Sequence, residues 1–453
     1  MMLLISFPET QRSERSWICE VLLGEFLGLD YELAFDHADT VRISAAGRTL
    51  RLPDAFFAGD ASPDARPRHW IVGCSGLDAR LCEASVPVLF GAPGFTFDAS
   101  GNAALSLDVF GSAFFMLARY EESVSPARDG HGRFPANLSL AVRQGFLGRP
   151  IVDEYVEILW AAIHRVWPTL ARKRRVARKL ISCDVDLPFD PACASMSRLG
   201  KRLVGRAVRE RSPGALLETA RNYWAVRRGN QARDPYWHAL SWMMDVNEKA
   251  GNQVTFNFIP ERTDSAMDNA PGIDHVRMRE LLRTVHARGH LIGIHPGYNT
   301  YRHPDAFARS AAALRRAIRQ EGIRQGELGG RQHYLRWDVR NTPQLWASNG
   351  LTYDSTLSYP TIAGFRTGTC HEFTMYDLVG RRPLTVKQRP LVVMENAVID
   401  TPNMGLGHGE RALAAMRRYK QICARFDGDF TLLWHNSSFA GEDDRAMYCD
   451  LIQ

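Results

Sequence analysis

Ile181-Ser-Cys-Asp-Val-Asp186 constrains this chain more than any other stretch. A basic run, Arg172-Lys-Arg-Arg175, precedes it. The chain then turns apolar through Val176, Leu180 and Ile181 and arrives at Asp184 and Asp186. Apolar residues that end in carboxylates read as a buried strand carrying acids to the rim of a sheet. Residues i and i+2 of a strand share a face, so both acids can point into one site. One can bind a metal while the other works as a base. Aspartate is also common where a strand simply ends in a turn. The pair therefore gains chemical meaning only from partner residues further along the chain.

Two domains are expected, because 453 residues exceed one ordinary domain. The split between 45% hydrophobic and 23% charged residues is that of a folded chain. A net charge of +6 is mild at this length. With no zinc-finger, RNP or basic-zipper pattern, nucleic acid is not an expected partner. Eight cysteines are scattered and none forms a C-x-x-C pair. That argues against a zinc ribbon or a thioredoxin motif and fits reduced thiols. Met1 to Phe7 is too short for a secretory h-region and has no basic segment before it. It reads as a first strand, and a cytoplasmic protein is expected.

The front half alternates α and β patterns. Trp17 to Leu29 has helical periodicity, and Thr40 to Leu52 alternates like a hairpin around Ala45-Ala-Gly47. Short strands are expected at His69 and Pro87, a buried helix over Leu105 to Tyr120, and an amphipathic helix over Ile151 to Trp167. Arg119-Tyr-Glu-Glu122 and Asp129-Gly-His-Gly-Arg-Phe134 form a polar cluster, read as a loop tied down by salt bridges. The basic run after Trp167 marks the boundary between a domain over 1–170 and a second over 176–453.

In the back half, Arg198 to Arg228 holds nine basic residues interleaved with leucines and valines. A solvated helical face is one reading. Peripheral contact with an anionic membrane or glycolipid, at the inner membrane, is the sharper one. Further on, Trp237 to Ala250, Met278 to Arg288 and Ala306 to Gln320 read as helices. Val254 to Ile259 and His290 to His295 read as strands, the second ending on a ligand-type residue. Strands and helices in alternation, with functional residues at strand ends, are the pattern of a (β/α) barrel.

Five stretches now fall in order: Asp184-Val-Asp186, His295-Pro-Gly-Tyr-Asn299, Arg331-Gln-His-Tyr334, Tyr353-Asp-Ser-Thr356 and Leu432-Leu-Trp-His435. Together they resemble the five motifs of the NodB-type polysaccharide deacetylases (carbohydrate esterase family 4), over roughly residues 176 to 440. The front half resembles the domain that precedes the deacetylase domain in some bacterial members. The resemblance implies an α/β fold, a distorted (β/α) NodB-like barrel preceded by a smaller α/β domain. It implies hydrolysis of an acetyl group, N-acetyl first, from a sugar of a surface-polysaccharide precursor. One divalent metal is implied, zinc first among the candidates.

Residue by residue, the resemblance makes Asp184 the general base and Asp186 and His295 metal ligands. His435 becomes the general acid, and Arg331 the group that pairs with the base. Asp354 becomes the acid that tunes His435, and the backbone N–H near Tyr334 a partner of the oxyanion. Two positions depart from the family. Asn299 stands where a second metal imidazole is expected, and an amide oxygen is a poor zinc ligand. His303 on the same loop is a substitute. His333 stands where the family has proline, as a ligand, a substrate contact or a structural change. Arg366, in Gly364-Phe-Arg-Thr-Gly368, suits an anionic sugar or simply pins the loop. Two other readings stay open: a non-catalytic carbohydrate-binding relative with an impaired metal site, and a metal-dependent amidohydrolase acting on a non-sugar C–N bond.

Overall fold

The computed structural model describes residues 1–59, 68–209, 213–439 and 441–453. By its internal contacts the chain divides into two units. One comprises Met1–Arg178, Tyr334–Val393 and Arg418–Phe430. The other comprises Lys179–His333, Met394–Arg417 and Thr431–Gln453. Residues 334–393 and 418–430, placed in the back half by sequence, thus cluster with the front half.

The first unit is built on a six-stranded mixed sheet. Its order is Tyr31–Asp36, Leu3–Pro8, Thr40–Ala45, Arg48–Pro53, Ala103–Leu107 and Gly91–Phe97. The 40–53 hairpin closes with Ala45 opposite Arg48. Its two turn residues, Ala46 and Gly47, both have positive φ (48° and 74°). That geometry matches the right-handed twist of the flanking strands. The apolar segment read as one helix over 105–120 instead starts as a strand, Ala103–Leu107, pairing with Arg48–Pro53. Asp108 then caps the helix Val109–Leu117 by accepting a hydrogen bond from the Gly111 N–H at 2.7 Å. All nine residues of that helix are buried, as are most of Ile151–Val166.

The polar cluster after Leu117 is an ion-pair network. Arg119, 1% exposed, bonds both Glu121 (2.7 Å) and Glu122 (2.8 Å), and Arg133 pairs with Asp129 at 2.8 Å. Arg366 joins from the other side. Its guanidinium bonds Glu122 at 2.7 Å and the Ser358 carbonyl at 2.7 Å. These bonds hold the 364–368 loop inside its own unit.

Most of a five-stranded sheet falls in the second unit; its order is Leu291–Ile294, Val254–Phe258, Arg178–Asp184, Asp429–Leu433, Val393–Met394. The first three strands pair in parallel, with Val254 opposite Ile181 and Thr255 opposite Leu291. Apart from the partly buried Leu180 and Leu291 at the strand starts, their apolar residues are buried, as expected of a parallel sheet covered by helices. The helices Pro235–Lys249, Val276–Ala287 and Pro304–Gln320 alternate with these strands along the chain. Asp234 starts the first, accepting from the Tyr236 and Trp237 N–H groups with proline at the first helical position.

Among the described residues the strands and helices form a mixed α/β fold with several sheets, and their pairings do not show the closed barrel that the family resemblance implies. Where the barrel would continue, after Glu327, the chain makes a single bridge, Ile294 to Gly330. A Cβ at Gly330 would stand 1.9 Å from the Ile294 carbonyl oxygen. Glycine permits this close approach but brings no side chain to pack a longer strand.

The basic stretch forms two helices, Met196–Arg209 and Pro213–Arg227, with Met196, Val204, Leu217 and Trp224 exposed. Arg211 and the side chains of Arg206 and Arg209 lie outside the described residues. Among the described residues no helix is long and apolar enough to cross a membrane.

Candidate active site

The strand Arg178–Asp184 ends at its carboxylate, as its apolar run predicts, but Asp186 lies two residues on, in a bend and outside the strand expected to carry both acids. Asp184 is 2% exposed. One of its oxygens, Oδ1, accepts from Arg331 Nη1 at 2.8 Å and from Asn257 Nδ2 at 2.7 Å. Burial alone would raise this carboxyl. Arg331, His295 and His435 outweigh burial and hold it below its ordinary value. Arg331 is itself 1% exposed and also bonds Ser182 Oγ at 3.1 Å. A planar, always-charged guanidinium thus fixes one face of the carboxylate.

Asn257 sits mid-strand in Val254–Phe258, a polar residue in an apolar run, and its register against Asp184 explains why. Its other amide atom, Oδ1, lies 1.9 Å from where a Cβ at Gly293 would stand. The glycine leaves room for the amide that anchors Asp184. Gly293→Ala is expected to displace Asn257 and destabilise the protein by about 1–3 kcal/mol, the usual cost of overpacking. Urea denaturation measures it, and an unchanged midpoint would show that Asn257 relaxes freely.

His295 comes directly after the strand Leu291–Ile294 and is 1% exposed. Its Nδ1 is 2.5 Å from the Arg331 carbonyl oxygen. A carbonyl only accepts, so Nδ1 carries the proton and Nε2 presents its lone pair. That Nε2 lies 3.2 Å from Asp186 Oδ1 and 3.7 Å from Asp184 Oδ2.

His333 brings a second imidazole to the same oxygen. Its Nε2 is 3.5 Å from Asp186 Oδ1, and its Nδ1 is 2.7 Å from Asp268 Oδ1. Asp268 is 0% exposed and accepts from the Thr263, Asp264 and Tyr298 backbone N–H groups. Burial would lower the His333 pKa, but without a bound cation Asp186 and then Asp268 reverse this and lift it to about 9, so a metal at Nε2 would take the place of that proton. Asp186 itself is held well below the carboxylate range. Burial opposes that shift, and the two histidines overcome it.

Asp186, His295 and His333 each place one ligand atom within 4.8 Å of the others. Asp186 Oδ1 is buried and has no hydrogen-bond donor among the described residues. A buried oxygen without a donor, flanked by two imidazole nitrogens whose far sides are fixed by hydrogen bonds, is a donor set suited to a divalent cation.

Asn299 is placed differently. Its amide Nδ2 donates to the Thr263 carbonyl at 3.1 Å, and its backbone N–H donates to Thr263 Oγ1. His303 is exposed at the start of the helix Pro304–Gln320. Tyr334 has φ 58° and is half-exposed. Its carbonyl accepts from Arg133 at 2.9 Å, within the first unit. Asp354 also belongs to the first unit. Its carboxylate accepts from Trp337 Nε1 at 3.1 Å and from the Thr356 N–H at 2.8 Å.

His435, after the strand Asp429–Leu433, is turned by a residue outside the five sequence motifs. Its Nδ1 is 2.6 Å from Glu395 Oε1, and the same oxygen accepts the His435 backbone N–H at 2.9 Å. Glu395 is 0% exposed and ends the apolar run Leu391-Val-Val-Met394. The imidazole's Nε2 faces Asp186 Oδ2 at 3.7 Å. Burial would lower its pKa, yet Glu395, then Asp186 and Asp184, raise it to about 10. At neutral pH this histidine carries its proton. The site thus sets an ionised, arginine-held carboxylate and a protonated histidine around one group of metal-type ligands.

A family model described as a family of unknown function, DUF7033, matches residues 3–168. No curated protein matches the chain. Among solved structures the chain is similar to one named as a polysaccharide deacetylase from Mycobacterium smegmatis. The two are 15% identical with a TM-score of 0.40, covering 63% of this chain and 84% of that one. It is also similar to one named as a polysaccharide deacetylase from Pseudomonas aeruginosa PAO1. That pair is 15% identical with a TM-score of 0.34, covering 49% of this chain and 69% of that one. The likeness is coarse.

Proposed function

We propose that the chain is a metal-dependent hydrolase that removes an acetyl group, N-acetyl in the first instance, from a sugar of a surface-polysaccharide precursor. The observation that carries this reading is Asp186 Oδ1, buried without a donor between the Nε2 atoms of His295 and His333. Asp186, His295 and His333 would hold the metal, and two imidazoles with one carboxylate suit zinc. When bound, it supplies a Lewis acid for the acetamide carbonyl and lowers the pKa of water.

The remaining roles belong to the chain. Asp184, kept ionised by Arg331, takes a proton from the attacking water. The water oxygen bonds to the carbonyl carbon and the C–N bond breaks. His435 delivers its Nε2 proton to the departing nitrogen, leaving acetate and a free amine. Glu395 holds the Nδ1 proton and so keeps Nε2 turned to the site. Arg331 and Asp268 are positioning residues, acting through Asp184 and His333.

Metal analysis of protein purified without chelator, paired with an acetate-release screen, tests the reading. Bound metal with acetate released from N-acetyl sugars supports it. Bound metal with turnover of small amides alone would replace the sugar by another C–N substrate. Neither metal nor acetate would favour a carbohydrate-binding protein.

Glu395→Gln provides a further check. Removing this carboxylate takes away the main charge that raises the His435 pKa. The imidazole then loses its proton at lower pH, so the alkaline limb of the kcat profile should move down in pH. An unmoved limb would dissociate Glu395 from the acid.

A further inference from the structure

The first unit contains a cavity of about 480 Å³ that the proposed hydrolysis does not use. That volume suits a small-molecule ligand. Phe26, Trp160 and Phe426 give it apolar wall, and the segment 172–175 gives it charge. Two of its cations are already compensated. Arg80 pairs with Glu157 and Asp427, and Arg172 pairs with Glu157. Among the described residues, Lys173, Arg174 and Arg175 have no carboxylate partner. The Arg175 guanidinium lies 4.9 Å from the Phe26 ring centroid and gives one N–H to the Glu25 carbonyl, while its buried Nε has no acceptor among the described residues. Burial lowers the pKa of this guanidinium and outweighs Asp153, Asp429 and Glu25, which act on it only through space, with no ion pair at contact distance among the described residues. An anion in the cavity would offset that cost. An adjoining cavity of about 500 Å³ shares Lys173, Arg174, Arg175, His371 and Asp427, but there Glu25, Glu372 and Asp429 also line the wall, so the first cavity is the one with the larger excess of positive charge.

One feature of the wall could instead indicate a metal. Asp153, Cys370 and His371 bring one ligand atom each within 4.8 Å of one another. The Asp153 oxygens, however, already accept from Thr369 Oγ1 (2.5 Å), the Cys370 N–H (2.9 Å) and Cys370 Sγ (3.1 Å). Burial, then the fields of Arg175, Arg80 and Arg178, holds His371 well below the ordinary imidazole value. A cation placed there would meet the same guanidinium charges that keep a proton off the ring. An anion would be attracted by them.

We propose that this cavity binds a phosphate-bearing anion, through Lys173, Arg174 and Arg175 with His371 in the wall. Three cations match a doubly charged tetrahedral oxyanion better than a single carboxylate. The aromatic wall accommodates an organic group on the same phosphate. Such a group arrives either on a soluble phosphate ester or on a lipid headgroup.

Calorimetric titration of the full chain with inorganic pyrophosphate tests the soluble source. Sedimentation with vesicles of equal parts phosphatidylcholine and phosphatidylglycerol, with and without pyrophosphate as competitor, tests the lipid source. Lys173→Gln with Arg174→Gln removes two exposed cations without touching the core. Arg175→Gln removes the third, with thermal melting to check its fold. Saturable pyrophosphate binding, at least about tenfold weaker in the double variant, is expected from the loss of charge-assisted hydrogen bonds. Vesicle binding that the double variant loses and pyrophosphate competes away would assign the headgroup source. Absence of both kinds of binding would overturn the proposal, and so would binding that the double variant leaves unchanged.

Discussion

Replacing His333 by alanine is expected to strip the metal and reduce acetate release by at least about 10²-fold. Positioning partners of metal ligands alone cost about 10–100-fold when removed, and His333 stands nearer than that. Its Nε2 is 3.5 Å from Asp186 Oδ1, and Asp268 fixes the other ring nitrogen. Asn299→Ala is the matched control. That amide bonds Thr263 and is expected to leave metal content unchanged. Asp268→Asn should fall between them, because the ring stays but its orientation loosens. Mass-spectrometric metal analysis of the three variants decides the matter. Full occupancy in His333→Ala with loss in Asn299→Ala would restore position 299 as the ligand and remove His333.

Asp184→Asn is expected to keep the metal and lose turnover by at least about 10²-fold, the usual range for loss of a general base. Asp186→Asn should lose both. The Asp184 change also leaves Arg331 buried beside a neutral amide. Removing one partner of a buried ion pair commonly costs about 3–5 kcal/mol. The variant should therefore melt earlier while its metal content holds. Stability and chemistry separate in Arg331→Lys, which keeps a positive charge but not the two-pronged contact to Asp184 and Ser182. Normal turnover in Asp184→Asn at full metal occupancy would falsify the base assignment.

Much of this site was legible in the chain because strand ends are local events. Asp184 and His295 announce themselves as polar residues terminating apolar runs, whereas Asp186 lies two residues past the strand end, where period two no longer applies, and the bend after the strand brings it to the site. Glu395 carries the same signal, an acid ending Leu391-Val-Val-Met394, and could have been found by it. Asn257 was marked more faintly, as one amide inside an apolar strand. Asp268 had no local mark. It lies in an irregular segment and matters only because the 263–268 loop folds its carboxylate against His333.

The sequence by itself determined the strand ends at Asp184 and His295, the strand and helix alternation around them, and the local ion pairs of Arg119 with Glu121 and Glu122. Each rests on spacing within a dozen or so residues, where backbone periodicity dictates which side chains share a face. The tertiary structure alone decided which imidazole joins Asp186 and which acid holds His435. It also decided that Asp354 and Arg366 bond within the first unit. Those outcomes depend on contacts between residues 17 to 244 positions apart, such as Asp354 with Trp337 and Arg366 with Glu122. No periodicity in the chain encodes such pairings. They arise from which loops the packed sheets bring within hydrogen-bond reach, and from the cost of leaving any of these buried charges without a partner.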